Sequence, residues 1–240
     1  MIETSQHAVP GFRPEPPETH PPYLYEPYRG TSKRAPLEPL VAIPQTLSEI
    51  TGPVGGWERL MGRAEADLTV GHGGEPLGER IVVSGRVLDE DGRPVRHTMI
   101  EIWQANSAGR YLHARDQHAA PLDPHFAGSG RVETDEDGRY RFLTIKPGAY
   151  PWGNHYNAWR PAHIHFSLFG PGFATRLVTQ MYFPGDPLLE IDPIANSVPR
   201  EALKRLVSRF DIETTLPDVA LGYLFDFVLR GRDETPLEKR

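Results

Sequence analysis

From Arg80 onward the chain sets its apolar residues out in short runs and alternations that read as strands. Ile81-Val82-Val83-Ser84-Gly85-Arg86-Val87-Leu88 is β-branched and apolar. Thr98 to Trp103 alternates, with Thr98, Ile100 and Ile102 on one face, and Tyr140, Phe142 and Thr144 share a face farther on. Val132 to Thr134, His163 to Leu168, Leu177 to Phe183 and Tyr223 to Leu229 complete the predicted set. Asp-Glu-Asp-Gly occurs twice, at 89–92 and 135–138. It is too short for an EF-hand and lacks the downstream bidentate Glu, so both copies read as hairpin turns rather than calcium loops. One helix is predicted: Ser197 and Pro199 start it, and Leu203, Leu206, Val207 and Phe210 form its apolar stripe. The predicted fold is all-β: an antiparallel β-sandwich with long loops, one or two short helices and an extended N-terminal arm.

The arm is residues 1 to about 40, where prolines at 10, 14, 16, 17, 21, 22, 27 and 36 forbid a long helix. It also carries Tyr23, Tyr25 and Tyr28, so it is expected to pack on its own body or on a partner. Thr46 to Ile50 reads as a short helical turn ended by Gly52-Pro53, and Trp57 to Gly74 gives no pattern. The expected division is an arm and partner-contacting segment over 1–75, then a β-sandwich catalytic domain over 76–240.

At 240 residues the chain can bury a sizeable core, and Gly 23 with Pro 25 suits many short elements joined by turns. A net charge of -6 argues against a general nucleic-acid binder. The absence of Cys removes disulfides, thiolate zinc sites and a Cys nucleophile. No run approaches a membrane span, and Met1 to Pro22 lacks the apolar core of a secretory signal, so a cytoplasmic location is expected.

His163 and His165 change the picture, because alternate strand residues point the same way and Ile164 and Phe166 point the other. Two imidazoles on one face make half of a metal site. Without Cys, the other ligands must be oxygen or further nitrogen. Tyr111 stands just after Gly109, and Tyr150 lies between Gly148 and Pro151, in turns able to aim a hydroxyl inward. Taken singly, each reads as an ordinary half-buried tyrosine. If all four meet, ferric iron suits them better than zinc, because a phenol with a pKa of about 10 needs a strong Lewis acid to bind as phenolate at neutral pH. Spacing leaves His113, His118 and His125 open as competing ligands.

These residues sit in a run of motifs: Gly78-Glu79-Arg80-Ile81, Glu101-Ile102-Trp103-Gln104-Ala105-Asn106, Gly109-Arg110-Tyr111, Ile145-Lys146-Pro147-Gly148, Tyr150-Pro151-Trp152, Arg160 to Phe166, Thr179-Gln180-Met181-Tyr182-Phe183 and Gly185-Asp186-Pro187. In combination the chain resembles the intradiol ring-cleaving dioxygenases over about 28 to 231. The resemblance implies a β-sandwich and a non-haem Fe(III) held by Tyr111, Tyr150, His163 and His165. It implies that Arg160 and Gln180 lie beside the substrate ring, with Tyr150, Arg160 and Gln180 as the catalytic set. Tyr28, Trp152 and Ile194 would line the pocket, Tyr28 near a substrate carboxylate, and Trp103 would lie close to the iron.

Members acting on simple catechol carry a helical N-terminal linker, whereas this chain has a proline-rich arm. That favours the branch that cleaves protocatechuate with O2 to 3-carboxy-cis,cis-muconate, in aromatic catabolism by the β-ketoadipate route. There a homologous α subunit lacking the iron ligands completes a hetero-oligomer of αβ protomers. The alternatives are cleavage of catechol or hydroxyquinol, or a non-enzymatic β-sandwich metal- or ligand-binding module whose His pair is structural or binds zinc.

Overall fold

The computed structural model describes residues 18–41, 66–153, 158–169 and 176–238. The predicted turn at Thr46 to Ile50 and the first half of the unassigned stretch from Trp57 to Gly74 lie outside them. The strands are β1 (Arg80–Leu88), β2 (Met99–Gln104), β3 (Ser129–Glu133), β4 (Arg139–Ile145), β5 (Tyr150–Pro151), β6 (Trp159–Arg160), β7 (His163–Phe169), β8 (Arg176–Tyr182), β9 (Arg209–Phe210), β10 (Leu221–Leu224) and β11 (Phe227–Val228). One sheet runs β3-β2-β7-β8, antiparallel throughout. The other is built on β1, with β4 antiparallel on one side, β10 and β11 parallel on the other, and β9 beyond β10. β5 and β6 form a separate small ribbon.

The two sheets meet through alternate side chains, as a sandwich requires. Ile81, Val83 and Val87 of β1 and Tyr140 and Phe142 of β4 share one core with Ile100 and Ile102 of β2 and Ile164, Phe166 and Leu168 of β7. Phe166 is the hub, with ring centroids 6.0 Å from Phe142, 5.1 Å from Phe227 and 5.8 Å from Phe225. Leu68, ahead of the first strand, also packs in this core and donates its N–H to Leu143 O at 2.9 Å.

Both Asp-Glu-Asp-Gly segments are turns, and their leading carboxylates serve the backbone. Asp89 Oδ1 accepts from the N–H groups of Asp91 and Arg93, and Asp135 Oδ1 accepts from those of Asp137 and Arg139. The fourth residue has φ of 76° at Gly92 and 68° at Gly138, which glycine adopts freely. The second turn, expected as a hairpin, is not one: β3 and β4 do not pair, and it carries the chain from β3 in one sheet to β4 in the other.

Two predicted elements are shorter than the pattern implies. The helix is α1 (Arg200–Leu203), continued by a 3-10 turn over Lys204–Leu206. Val207 then extends, and Ser208 gives its N–H and hydroxyl to Tyr182 O at 2.8 and 2.9 Å. Pairing with the end of β8 thus overrides the helical stripe, and Phe210 lands in β9, 46% exposed. The predicted Tyr223–Leu229 strand is split at Phe225–Asp226. There Asp226 Oδ1 takes the Arg86 N–H at 2.8 Å, and Phe225 O accepts the buried Tyr140 hydroxyl at 2.5 Å. Gly85 is required opposite this break, since a Cβ would lie 1.9 Å from Phe225 O. Tyr140→Phe should therefore destabilise the fold by about 1–3 kcal/mol by leaving a buried carbonyl unmatched, as read from the denaturant midpoint at constant slope.

The described part of the arm packs on its own body. Thr19, His20 and Thr31 are buried, and the Tyr28 ring meets Trp152 edge to face at 5.1 Å. Among the described residues no helix is long and apolar enough to cross a membrane.

Candidate metal and substrate site

Strand register builds the centre of the site. Ile164, Phe166 and Leu168 fill the sandwich, so His163 and His165 face the opposite side of the β3-β2-β7-β8 sheet. Across that face His165 is aligned with Trp103 on β2 and with Gln180 on β8, while His163 is aligned with Tyr182. Trp103 and His165 stack at 4.8 Å with their planes 7° apart. Although this face lies outside the core, His163 and His165 are only 1% and 8% exposed, so loops must cover it.

Backbone packing against two glycines brings in those loops. Gly109 has φ 77°, and a Cβ there would stand 2.1 Å from Ala149 O. A Cβ at Gly148 would stand 2.4 Å from Ser107 O. Asn106 ties the two segments together. Its side-chain oxygen accepts from Ala108 and Arg110 N–H, and its carbonyl accepts from Gly109 and Gly148 N–H. Asp116 fixes the next residue by accepting the Tyr111 N–H at 2.8 Å. Tyr111 and Tyr150 are thereby held edge to face at 5.4 Å.

The four rings close on one another. Tyr150 and His163 are 5.5 Å apart, Tyr111 and His165 6.3 Å, and the two imidazoles 4.8 Å. Each histidine commits Nδ1 elsewhere: His163 donates to Pro161 O at 2.7 Å, and His165 Nδ1 lies 3.1 Å from Glu238 Oε2. That leaves both Nε2 lone pairs for the centre, and the Tyr150 hydroxyl reaches His163 Nε2 at 3.4 Å. The Tyr111 hydroxyl is buried with no hydrogen-bond partner among the described residues.

Burial, aided by the nearby Arg160 and by His165, pushes the His163 imidazole well below the usual range, so it stands neutral and able to ligate. Burial, and then the neighbouring Tyr150, push the Tyr111 phenol well above its ordinary range. Burial also raises Tyr150, opposed chiefly by the Arg160 cation. Without a Lewis acid both are phenols. Among the described residues no three His, Cys, Asp or Glu side chains gather to hold a metal, so an ion on this histidine pair needs the tyrosine oxygens. Of the competing histidines, His125 Nδ1 donates to His72 O, while His113 and His118 line the cavity that Tyr111, Tyr150 and His165 also line, without forming a three-ligand group with the histidine pair among the described residues.

Arg160 is 3% exposed and makes a two-pronged ion pair with Asp192, Nε to Oδ1 at 3.0 Å and Nη2 to Oδ2 at 3.1 Å. Nη2 also donates to Gln180 Oε1 at 2.5 Å and to the Tyr182 hydroxyl at 3.3 Å. Tyr150 is registered against Arg160 across the β5–β6 ribbon, which sets this cation beside the phenol. Gln180 Nε2 is buried with no hydrogen-bond partner among the described residues.

The remaining residues divide between two cavities. One, of about 900 Å³, is lined by Trp103, Tyr111, Tyr150, Trp152 and His165. The other, of about 380 Å³, is lined by Tyr28, Arg34, Gln180, Tyr182, Ile194 and Glu238. Tyr28 lines the smaller cavity and Trp152 the larger, and their rings touch. Asp192 and Glu238 stand out by no motif in the sequence, and the resemblance, which reaches Arg34 only weakly, gives it no role. Asp192 and Glu238 find their partners 32 and 73 residues away, and no local spacing signals that. Arg34 stands over the Tyr28 ring at 4.6 Å and carries only the bare signal of a cation in an aromatic arm.

Comparison with known proteins bears on this arrangement. A family profile described as "Dioxygenase" matches residues 50–231, and one described as "Protocatechuate 3,4-dioxygenase beta subunit N terminal" matches residues 12–46. The chain is 61% identical to a protocatechuate 3,4-dioxygenase beta chain of Burkholderia cepacia, over 92% of this chain and 94% of that one. It is 34% identical to the alpha chain of the same name and organism, over 66% of this chain and 76% of that one. Among solved structures, the dioxygenase domain of a carbohydrate-binding fusion protein from Streptomyces sp. SirexAA-E superposes with a TM-score of 0.51 at 28% identity, covering 70% of this chain and 88% of the other.

Proposed function

Because the chain belongs to the intradiol dioxygenases, an enzyme family that is generally dependent on non-haem Fe(III), we propose that it cleaves protocatechuate with O2 to 3-carboxy-cis,cis-muconate, as the beta chain of an αβ assembly. The observation that carries this reading is the convergence of Tyr111, Tyr150, His163 and His165, with both Nδ1 atoms turned away and the Tyr111 hydroxyl unmatched among the described residues. This donor set fits ferric iron: two imidazoles with their Nε2 atoms toward the centre and two phenols that a hard trivalent cation would ionise at neutral pH. When bound, the iron supplies the Lewis acidity that makes phenolates of the tyrosines and draws electron density from a diol.

The chain's own groups have distinct tasks in this proposal. Tyr150, once ionised to the phenolate, would accept a proton from a diol hydroxyl and return to the phenol, with the Arg160 cation countering the effect of burial on its ionisation. Arg160 also faces negative charge developing on the ring as a fixed, permanently charged donor, held in place by Asp192. Gln180 offers its unmatched Nε2. Tyr28, Trp152 and Ile194 line the walls, and Trp103 holds the His165 ring by stacking.

Arg34 beside Tyr28 suits a substrate that carries a carboxylate. Arg34→Ala should raise KM for protocatechuate about 5- to 10-fold, the loss of one charged hydrogen bond at a partly solvated rim, and leave KM for catechol unchanged. Parallel steady-state oxygen uptake on both diols reads this.

A partner of homologous sequence is supported by the alpha chain among the relatives and by apolar residues that the arm leaves bare: Leu37 is 95% exposed and Val41 82%. The test of function is oxygen uptake by the co-expressed pair with protocatechuate, catechol and hydroxyquinol, together with a visible spectrum. A red-brown protein consuming O2 fastest with protocatechuate is expected. A colourless iron-replete protein would reject the tyrosine ligands, and a preference for catechol would reject the substrate.

A further inference from the structure

The two imidazoles of the site are backed unequally. His163 gives its Nδ1 proton to a neutral carbonyl, Pro161 O, two residues away. His165 turns Nδ1 to the Glu238 carboxylate, whose side chain is 14% exposed and 3.1 Å distant. We propose that Glu238 is a positioning residue: it fixes the His165 tautomer, with the proton on Nδ1, and makes this imidazole the stronger donor of the pair. The inference rests on the reading of the His–Tyr quartet as an iron site. A carboxylate behind a ligating histidine aligns the ring and raises its basicity, which a carbonyl does less strongly.

The surrounding chain delivers this carboxylate deliberately. Thr179 donates its hydroxyl to Pro236 O at 2.6 Å, and Glu238 donates its N–H to Val178 O at 2.6 Å, so the tail runs along β8. Arg205 Nε holds Glu234 O at 2.8 Å. His20 from the arm clamps the same tail on two sides, accepting the Leu237 N–H at 3.1 Å and meeting Glu234 Oε1 at 2.6 Å. Trp103 stacks on the face of the His165 ring from its registered position on β2, so ring plane and ring rotation are each set by a separate residue.

The test is made on the full chain purified with ferric iron, comparing wild type, Glu238→Ala and Glu238→Gln. The readouts are the rate of iron loss to a chelator, the position of the phenolate-to-iron absorption band, and the thermal midpoint of the iron-free protein. Glu238→Ala should lose iron about 10- to 100-fold faster and shift the band. Glu238→Gln keeps an acceptor for Nδ1–H without the charge and should fall between on both. Unchanged iron loss and band in Glu238→Ala would overturn the assignment, as would an effect confined to the thermal midpoint. A wild-type protein that takes up no ferric iron would sink the metal reading first and this one with it, a result recognisable without any variant.

Discussion

Arg160→Met should lower stability by about 3–5 kcal/mol and abolish measurable turnover, because it strands Asp192 as an unpaired buried charge. Asp192 is fully buried and holds both prongs of the guanidinium, so the substitution removes its only cationic partner in the described structure. Neutralising the other side separates the two consequences. Ile194 and Ala195 N–H donate to different carboxylate oxygens of Asp192, so in Arg160→Met/Asp192→Asn the single amide oxygen still accepts from one of them, and part of the lost stability should return with the removal of the buried charge. Turnover should not return, because the cation beside Tyr150 and Gln180 is still missing. Denaturant unfolding and oxygen uptake on the four corners of the cycle decide this. A double variant that regains activity would reduce Arg160 to a structural ion pair.

Gly109→Ala should empty the site while sparing the sandwich. The residue sits at φ 77°, which for an L side chain is strained by roughly 1–2 kcal/mol, and its Cβ would meet Ala149 O at 2.1 Å. One backbone segment must back away, and these are the segments that carry Tyr111 and Tyr150. The core strands β1, β4 and β7 do not pass through this contact, so the far-ultraviolet spectrum should be unchanged. Bound iron should fall at least about tenfold, the scale on which disturbed ligand orientation acts. Wild-type iron content in Gly109→Ala would show that the loops have slack which this packing denies.

The sequence made the sandwich legible because burial on one face leaves a period-two trace, and Tyr140, Phe142, Ile164 and Phe166 all follow it. It misled at Val207 and Phe210, whose spacing suits a helix, because the bonds from Ser208 to Tyr182 O lie outside any local window. The interruption at Phe225–Asp226 was hidden for the same reason, since Tyr140 and Arg86 are what occupy the broken ladder. Within the site, the histidine pair was visible as an alternation and the tyrosines as residues beside glycines. Asp192, Glu238 and Arg34 acquire meaning only from what folding sets against them.

Strand β7 turns His163 and His165 to the site and Ile164, Phe166 and Leu168 to the core, and β2 and β8 lock it on both flanks. One inserted residue ahead of His163 would invert that assignment, pointing imidazoles into the oily interior and phenylalanine at the diol. Evolution can therefore tune this catalyst by exchanging side chains or lengthening the loops around it, but not by indels within the strand. Among descendants of this chain, length should vary at the rims while the spacing from Arg160 to Ser167 stays constant.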